Sequence, residues 1–382
     1  MSSSLILPPL SLYIHIPWCV QKCPYCDFNS HAQKGTIPET EYVANLLDDL
    51  EQDLPYVQGR KLHSIFFGGG TPSLLSEQAV ANILAGVEQL IQFEDDIEIT
   101  LEANPGTLEY NKFSGFADAG VNRISIGVQS FQLDKLKALG RIHNDNEAKT
   151  AAAYAASSVN TFNIDLMHGL PDQTLEDAIS DLKQAIELNP THLSWYQLTI
   201  EPNTLFYSQP PQLPQDETLW DIQQQGHELL KAAGYIQYEI SAYAKADYQC
   251  KHNLNYWRFG DYLGIGCGAH GKITLAADNK IIRTEKVKHP KGYMDLTKAY
   301  LNKVWDVEMD DRPFEYFMNK LRLKEPFCIH EFQQHTGLDF EMVKEQINKG
   351  IQLTLLTQLS EDKYQPTAKG LQFYNALVDL FL

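Results

Sequence analysis

Three cysteines that follow an apolar run near the start of the chain have a spacing that can hold a metal centre. Cys19, Cys23 and Cys26 form a C-x3-C-x2-C pattern. Three thiolates on one short loop can bind three irons of a cubane iron–sulfur cluster, which more commonly has four cysteine ligands. The remaining iron would then be open to bind and activate another ligand. A structural zinc site with His15 or His31 as fourth ligand is the alternative, and the spacing alone leaves both open.

The elements that must position this loop alternate along the chain from residue 11 to about residue 240. Hydrophobic periodicity predicts strands at 12–16, 64–67, 97–101, 122–128, 162–167 and 193–198, with helices at 39–53, 76–87 and 174–187. Repeated strand, loop and helix units predict an α/β fold with a parallel sheet and right-handed crossovers. Functional groups of such a sheet gather at the carboxyl ends of its strands. The cysteine loop, Gly68–Gly70, Glu102, Gln129 and Asp165 all fall there.

Each of these residues also has an ordinary structural explanation. Gly68–Gly70 could form a tight turn, or could let a ligand approach the backbone closely. Glu102 could accept a hydrogen bond from a ribose hydroxyl or an amine, or could cap a helix. Gln129, Arg141 and Asp165 could make sheet-end hydrogen bonds or a surface ion pair. Their occurrence together at several strand ends indicates a site rather than packing.

Two further runs are open to more than one interpretation. The pair Trp195–Tyr196 is typical of a hydrophobic core. The glycine-rich segment 264–270 contains Cys267 and His270, which could approach a ligand. Close packing of a final strand also requires small residues, and we interpret Cys267 in that way.

The last part of the chain has a different pattern. A proline-rich run at 210–215 leads into a predicted helix at 216–233. Beyond about residue 300, short helices at 312–323, 328–336 and 340–349 precede a polar, hairpin-like segment at 352–365. We therefore predict a domain over 1–290, with an extension at 215–290, and a small, mostly helical or winged-helix-like domain over 300–382.

Composition excludes several classes of protein. The formal net charge is −18, which repels polyanions and argues against nucleic acid as a partner. We expect no membrane span and no signal peptide in Met1–Ser4. Six cysteines, half of them in one loop, do not form a disulfide framework, so we expect a cytoplasmic protein. Association with a membrane face through a partner stays open.

The order of several short motifs resembles one known family. After the cysteines come GGGTP at 68–72, LEANP at 101–105, RISIGVQSF at 123–131, GRIHN at 140–144 and NIDLMHGLP at 163–171. This series, over about residues 11–275, resembles the radical S-adenosylmethionine (SAM) superfamily and is most similar to its anaerobic coproporphyrinogen III oxidase branch. The resemblance implies a partial (β/α)6 barrel of the TIM type and the machinery for reductive cleavage of SAM to a 5′-deoxyadenosyl radical.

The resemblance also implies a role for each matching residue. Cys19, Cys23 and Cys26 would ligate a [4Fe-4S] cluster whose open iron is chelated by SAM. The SAM pocket would be formed by Tyr13, Tyr25, Gly69, Gly70, Thr71, Glu102, Gln129, Arg141 and Asp165. Within that pocket the two tyrosines line the wall, the glycines and threonine cradle the methionine part, and the remaining four hold polar groups. No catalytic residue is assigned.

Departures from the oxidase pattern favour a sister group, the HemW-type haem chaperones. Phe28 stands where the oxidases have a fourth cysteine, and only about a dozen residues precede Tyr13. The run H-N-x-x-Y-W, with His252, Tyr256 and Trp257, resembles one found in that group. The resemblance implies haem bound by an axial His252 between flat aromatic faces. Alternatively, His252 and Trp257 hold the loop that follows them.

The functions implied by these resemblances differ in chemistry. A haem chaperone would bind the cluster, SAM and haem and deliver haem to respiratory enzymes, and the group is associated with a homodimer. A coproporphyrinogen III oxidase, which decarboxylates propionate side chains, is the alternative, although Phe28 argues against it. A radical SAM enzyme acting on RNA or protein is a third hypothesis, and the net charge of −18 disfavours RNA.

Overall fold

A large sheet and a small C-terminal sheet, both covered by helices, make up the fold. The structure, a computed structural model, describes residues 4–106, 111–295, 297 and 299–382, so most of the Met1–Ser4 segment lies outside the described residues. The strands are β1 (Leu10–Ile16), β2 (Trp18–Cys19), β3 (His31–Ala32), β4 (Leu62–Gly69), β5 (Phe93–Ala103), β6 (Arg123–Gln129), β7 (Thr161–His168), β8 (His192–Gln197), β9 (Ile236–Gln237), β10 (Ala242–Ala244), β11 (Asp261–Ile265), β12 (His270–Leu275), β13 (Lys280–Lys286), β14 (Leu301–Asp306), β15 (Phe327–Cys328), β16 (Leu356–Ser360) and β17 (Lys363–Pro366).

Six parallel strands in chain order form the centre of the large sheet. The order across the sheet is β14-β13-β12-β11-β1-β4-β5-β6-β7-β8-β10-β9. Strands β1, β4, β5, β6, β7 and β8 pair in parallel with their neighbours, and β11 pairs in parallel on the other side of β1. The predicted α/β fold with a mostly parallel sheet is confirmed. Because parallel strands end at one edge, their terminal residues face a shared space.

The helices cover this sheet and begin at identifiable capping residues. They are Glu39–Asp53, Glu77–Leu90, Phe113–Asp118, Leu133–Ala138, Asp145–Ser158, Leu175–Glu187, Leu205–Ser208, Asp216–Ala232, Lys251–Trp257, Pro290–Tyr293, Arg312–Lys320, Ile329–Thr336, Lys344–Gln352, Ala368–Gln372 and Tyr374–Val378. Ser76 accepts from the backbone N–H of Ala79, and Asn144 and Thr174 form capping boxes. These caps satisfy amide groups that the first turn leaves unpaired. No helix in the described part of the chain is long and apolar enough to span a bilayer.

Strand β5 is longer than its sequence pattern indicates. It begins at Phe93 rather than at residue 97, and the additional residues include the acidic run Glu94–Asp96. These side chains are polar and partly exposed, so the alternation that identifies a half-buried strand is missing there. Pairing of Phe93 with Leu62 of β4 nevertheless extends the strand to this point.

The C-terminal residues form a second layer with its own apolar cluster. A three-stranded antiparallel sheet, β15-β17-β16, packs with the last helices around Tyr316, Phe317 and Phe332. Leu5 and Phe259 from the larger layer join this cluster. Strand β14 pairs with β13 and therefore lies in the large sheet. The predicted domain division at 290 and 300 stays a prediction.

Candidate functional site

The cysteine loop emerges from the carboxyl end of β1 and is held by a short strand pair. Cys19 lies in β2, which pairs in parallel with β3, and it is buried, whereas Cys23 and Cys26 are partly exposed. The backbone N–H of Cys26 donates to the carbonyl of Cys23 at 3.2 Å, which makes a tight turn between them. All three side chains line one cavity of about 160 Å³, and all three are free thiols. The loop therefore presents three sulfur ligands to one space.

The histidine that a zinc site would need is already engaged. Nε2 of His15 donates to the carbonyl of Asn29 at 2.9 Å, and Nδ1 accepts from the hydroxyl of Tyr13 at 3.0 Å. His31 contacts the carbonyl of Lys288 at 3.2 Å through Nε2. Across the described ranges, no three Cys, His, Asp or Glu side chains converge on the position of a single metal ion. Each cysteine of a cubane cluster binds a different iron, so this arrangement suits a cluster better than zinc.

The triple glycine brings backbone groups against the cysteine loop. Gly69 has φ +107°, a conformation that side-chain-bearing residues rarely adopt, and a Cβ there would overlap the His15 ring. A Cβ on Gly70 would lie 2.5 Å from the carbonyl oxygen of Trp18. The N–H of Gly70 donates to the carbonyl of Ile16 and that of Thr71 to Trp18, at 2.7 and 2.8 Å. Glycine is therefore required at both positions, and the result is a cradle of backbone beside the cysteines.

Arg141 reaches the same cavity from the loop between two helices. Its guanidinium donates to the carbonyl of Gly127 and, at 2.8 Å, to Oδ1 of Asn104. Nη1 lies 3.7 Å from Sγ of Cys23. The guanidinium therefore contacts one of the three predicted cluster ligands. Arg141 thus connects the ends of β5 and β6 to the cysteine loop.

A bulge at the end of β6 directs Gln129 into the cavity. The pairing of β6 with β7 shifts register between Gly127 and Gln129, and Gln129 has φ +68°. A non-glycine residue in this region is strained by on the order of 1 kcal/mol or more. Its Oε1 accepts from the hydroxyl of Tyr196 at 2.9 Å. The strained backbone holds a polar amide at the site rather than in the sheet.

Asp165 and Glu102 supply negative charge to the cavity. Asp165 accepts from Ser125 Oγ at 3.0 Å and from Asn163 Nδ2 at 2.7 Å. Burial, together with the charge of Asp165, raises the pKa of Glu102 to about 8. A backbone hydrogen bond from Gly69 and the charge of Arg123 offset only part of this rise in pKa. A ligand with hydroxyl, ammonium or sulfonium groups would add further donors and positive charge, so the residues fit SAM.

Replacing Glu102 with glutamine is expected to stabilise the ligand-free protein in alkaline solution. The folded pKa of about 8 exceeds the ordinary value of 4.5, so stability present below pH 4.5 is lost as pH rises towards 8. Glutamine cannot ionise, and the variant should gain on the order of 1–3 kcal/mol over wild type at pH 8.5 but little at pH 4.5. Denaturant unfolding of the cluster-free protein at both pH values measures this. Glu94→Gln, on the exposed side of β5, is the control variant. An equal gain in unfolding free energy by Glu102→Gln at both pH values would contradict the prediction.

Most of the predicted SAM residues are brought together, and one is not. The first cavity is lined by Tyr25, Gly69, Gly70, Thr71, Glu102, Gln129, Arg141 and Asp165 as well as the three cysteines. Tyr13 instead lines a neighbouring cavity, where its ring stacks on Phe66 at 6.4 Å between ring centroids. The assignment of these residues to SAM stays a prediction.

Several residues that line the first cavity are absent from the set predicted for SAM. Asn104, Ser125 and Tyr196 belong to this group. Asn104 lies within the LEANP motif, and Ser125 shares a strand face with Gly127, so alternation along a strand was a usable signal for both. The pair Trp195–Tyr196 was interpreted as core, and the structure separates them: Trp195 is 2% exposed in the core, whereas Tyr196 faces the cavity. Adjacent strand residues point to opposite faces.

A second and larger cavity adjoins the first. It has a volume of about 890 Å³, and both cavities are lined by Phe28, Ser30, Gly69 and Glu102. Its walls include the aromatic rings of Tyr13, Phe66, Tyr256, Trp257 and Tyr262, and its cations are Lys22, Lys272, Arg283 and Lys288. The three residues predicted for haem therefore lie beside the cluster cavity. A ligand in this second cavity would reach the wall of the first.

His252 is set into the wall of the second cavity. The residue is 1% exposed, and its Nδ1 is hydrogen-bonded to Ser64 Oγ at 2.9 Å. Its ring stacks on Phe66 with the ring centroids 5.0 Å apart. Burial lowers the pKa of His252 to about 3. Trp257 is covered on one face by Arg322, whose guanidinium carbon lies 4.4 Å from the ring centroid. His252 thus holds the helix Lys251–Trp257 against β4, whereas Trp257 joins the helix to the C-terminal part of the chain through Arg322. The axial role of His252 stays a prediction.

Comparison with known proteins identifies similar sequences along the whole chain. The Radical SAM superfamily model matches residues 13–182, and the HemN C-terminal domain model matches residues 307–373. The chain is 60% identical to the haem chaperone HemW of Escherichia coli over 377 residues, covering 98% of this chain and 99% of that protein. It is also 60% identical to HemW of Haemophilus influenzae, covering 98% of each chain. Among solved structures, coproporphyrinogen III oxidase (HemN) from Escherichia coli is similar with a TM-score of 0.82 and 25% identity, over 98% of this chain and 90% of that one.

Proposed function

The chain belongs to the HemW family of haem chaperones within the radical SAM superfamily, and we propose that it binds haem and delivers it to haem-dependent respiratory enzymes in the cytoplasm. In this proposal the first cavity holds a [4Fe-4S] cluster and SAM, and the second holds haem. The observation that carries the proposal is the second cavity, which is large, aromatic and cationic and shares a wall with the first.

The second cavity has the chemistry that a porphyrin requires. A porphyrin is a flat apolar ring with two carboxylate side chains, so it needs aromatic or aliphatic walls and cations at the edge. Four Lys or Arg side chains line the cavity against two carboxylates, those of Asp27 and Glu102. Lys272, Arg283 and Lys288 are ion-paired with Asp261, Glu315 and Glu285, whereas Lys22 donates to the carbonyl of Phe28. Lys22, together with Lys288, whose side chain is 60% exposed, can therefore approach the carboxylates of a ligand at this edge.

In the first cavity the cysteines would hold the cluster, and residues at the strand ends would hold the ligand beside it. Cys19, Cys23 and Cys26 would hold the cluster, and the backbone at Gly69 and Gly70 would support the ligand beside it. When bound, the cluster supplies an electron that can cleave SAM reductively. Glu102 and Asp165 would accept hydrogen bonds from the ligand, and Arg141 would keep its positive charge near Cys23. These contacts orient the ligand at the edge of the second cavity.

Phe28 bears on the choice between chaperone and oxidase. Its side chain stands at the junction of the two cavities, and the residue is 59% exposed. The oxidase pattern has a thiol at this position, so this chain presents an apolar ring to a bound porphyrin instead. An apolar ring supports retention of a flat ligand by contact and adds no redox group.

We also propose that the protein forms a homodimer when its cluster is present. Val20 and Ile142, which are 51% and 69% exposed, lie beside the cysteine loop and line one shallow apolar cleft with Leu74. Exposed apolar side chains around a functional site are commonly covered by a partner. Sedimentation of the cluster-loaded and the cluster-free protein tests this proposal. Any peripheral association with a membrane would depend on the acceptor enzyme.

A paired assay on one anaerobically reconstituted sample tests the proposed function. One half receives haem, and its Soret band is measured against the same protein without haem. The other half receives coproporphyrinogen III, SAM and a reductant. We expect stoichiometric haem binding and no formation of protoporphyrinogen. Porphyrin turnover without haem retention would make the protein an oxidase. A protein that neither binds haem nor turns over porphyrin would also contradict the chaperone proposal.

A further inference from the structure

Four histidines line the second cavity, and they differ in whether a ring nitrogen is available to a ligand. They are His15, His31, His252 and His270. An axial ligand to haem iron must present a nitrogen lone pair to the face of the porphyrin. Access and hydrogen bonding therefore decide among the four.

Three of the histidines are restrained by neighbouring groups. His15 is 4% exposed and has hydrogen bonds at both ring nitrogens. His252 is 1% exposed and lies between Phe66 and Tyr256, with its centroid 5.5 Å from the second ring. His31 donates to a backbone carbonyl, and its ring packs edge-on against His289 at 5.6 Å. Porphyrin access to His15 or His252 would require the cavity wall to move.

His270 differs from the other three in each respect. Its side chain is 53% exposed, and within the described residues its ring makes no hydrogen bond. It is the first residue of β12, and Gly264 allows the backbone of His270 to pack closely, since a Cβ on Gly264 would overlap the His270 carbonyl. The ring is thus accessible from the cavity while its backbone is packed closely against β11. Burial lowers the pKa of His270, and the neighbouring Glu285 acts in the opposite direction.

A carboxylate stands beside His270 on the next strand. His270 and Glu285 are direct partners in the pairing of β12 with β13, and Nε2 of His270 lies 3.8 Å from Oε2 of Glu285. Glu285 is itself held by Asn302 at 2.6 Å and by Lys288 at 3.1 Å. Histidines that bind metals usually have their second ring nitrogen oriented by a carboxylate or carbonyl. The pair has the components of such an arrangement.

We infer that His270, oriented by Glu285, is the axial ligand of haem iron, and that His252 supports the aromatic wall of the cavity. This inference rests on the proposed function, because it assigns a residue to the haem site. Coordination forms a bond from one imidazole nitrogen to the iron and consumes no other reactant. Glu285 acts as a positioning residue, since it reaches the iron only through the imidazole.

Haem titration of cluster-loaded variants, with histidine nitrogens labelled by ¹⁵N, tests the inference. Pulsed electron paramagnetic resonance detects coupling between ferric iron and a bound histidine nitrogen. We expect His270→Ala to lose this coupling, to shift the Soret band and to raise the haem Kd about tenfold or more, with imidazole restoring the band. Glu285→Gln should keep the coupling but shift the ferric–ferrous potential.

Two variants serve as controls. His63→Ala removes a histidine that pairs with Glu94 at 2.9 Å outside the cavity, so it should change nothing. His252→Asn can keep a hydrogen bond to Ser64 and should retain histidine coupling while lowering the melting temperature. Coupling that persists in His270→Ala, or that disappears in a folded His252→Asn, would overturn the inference while leaving haem binding intact. Wild-type protein that binds no haem would instead overturn the proposed function, and the inference with it.

Discussion

Cys19→Ala is expected to remove essentially all cluster iron from the reconstituted protein. Cys19 is buried in β2 and lines the cavity together with Cys23 and Cys26. With only two cysteines left, one more iron lacks a protein ligand, and clusters with so few ligands are not the arrangements that proteins retain. Iron analysis and visible absorbance after anaerobic reconstitution and desalting measure the loss. We expect the same result for Cys23→Ala and Cys26→Ala.

Cys328→Ala is the matched control for the cluster experiment. Cys328 is a free, partly exposed thiol at the start of the helix Ile329–Thr336, outside both cavities. This variant should keep the full iron content and absorbance. If Cys19→Ala also kept its iron, the assignment of Cys19 as a ligand would be wrong. If Cys328→Ala lost it, the loss would report damage to the fold rather than to the ligand set.

Asp261→Ala is expected to destabilise the fold by about 3–5 kcal/mol, because it leaves buried cations without their partner. Asp261 is fully buried at the start of β11 and accepts from Lys272 at 3.0 Å and from Arg60 at 2.8 Å. It also accepts from the N–H and the hydroxyl of Thr274, both at 2.8 Å. Lys272 is 2% exposed and could not reach water without moving part of the second cavity's wall.

A double-mutant cycle separates the lost charge pair from the lost hydrogen bonds. Lys272→Met removes the buried ammonium, and its side chain can pack on the Phe259 ring, which the ammonium now approaches at 4.0 Å from the centroid. Asp261→Asn combined with Lys272→Met should recover part of the stability lost in Asp261→Asn alone. Denaturant unfolding of cluster-free protein gives the four free energies. Additive effects of the two substitutions would show that the ion pair has no coupling in the folded state.

The sequence was sufficient to predict the strands and the edge at which the site would form. Apolar runs such as 12–16 and 162–167 were recognisable as buried strands, and parallel strands necessarily end at a common edge. Polar residues at those ends, such as Glu102 and Asp165, could therefore be assigned to one place without coordinates. The cysteine spacing is local, so the loop Cys19–Cys26 was predictable for the same reason.

Other properties depended on segments far apart in the chain. Periodicity did not distinguish Tyr196 from its neighbour Trp195 in function, and the resemblance did not show that Tyr13 lines the second cavity rather than the first. A strand exposes residues on two faces, and only the neighbouring elements decide what each face meets. The bulge that turns Gln129 into the site arises from the mismatch between two paired strands. A single segment carries no record of that mismatch.

The sequence by itself determined the chemistry of this protein: three thiols on one loop, a glycine cradle and carboxylates at the ends of parallel strands. Tertiary structure alone decided which groups are available. Ser64 lies 188 residues from His252 and is hydrogen-bonded to its ring nitrogen, whereas the ring of His270 is half exposed and has Glu285 at 3.8 Å beside it. Burial and hydrogen bonding are made by contacts between distant segments, and these contacts separate a histidine that supports the wall from one that can bind a ligand.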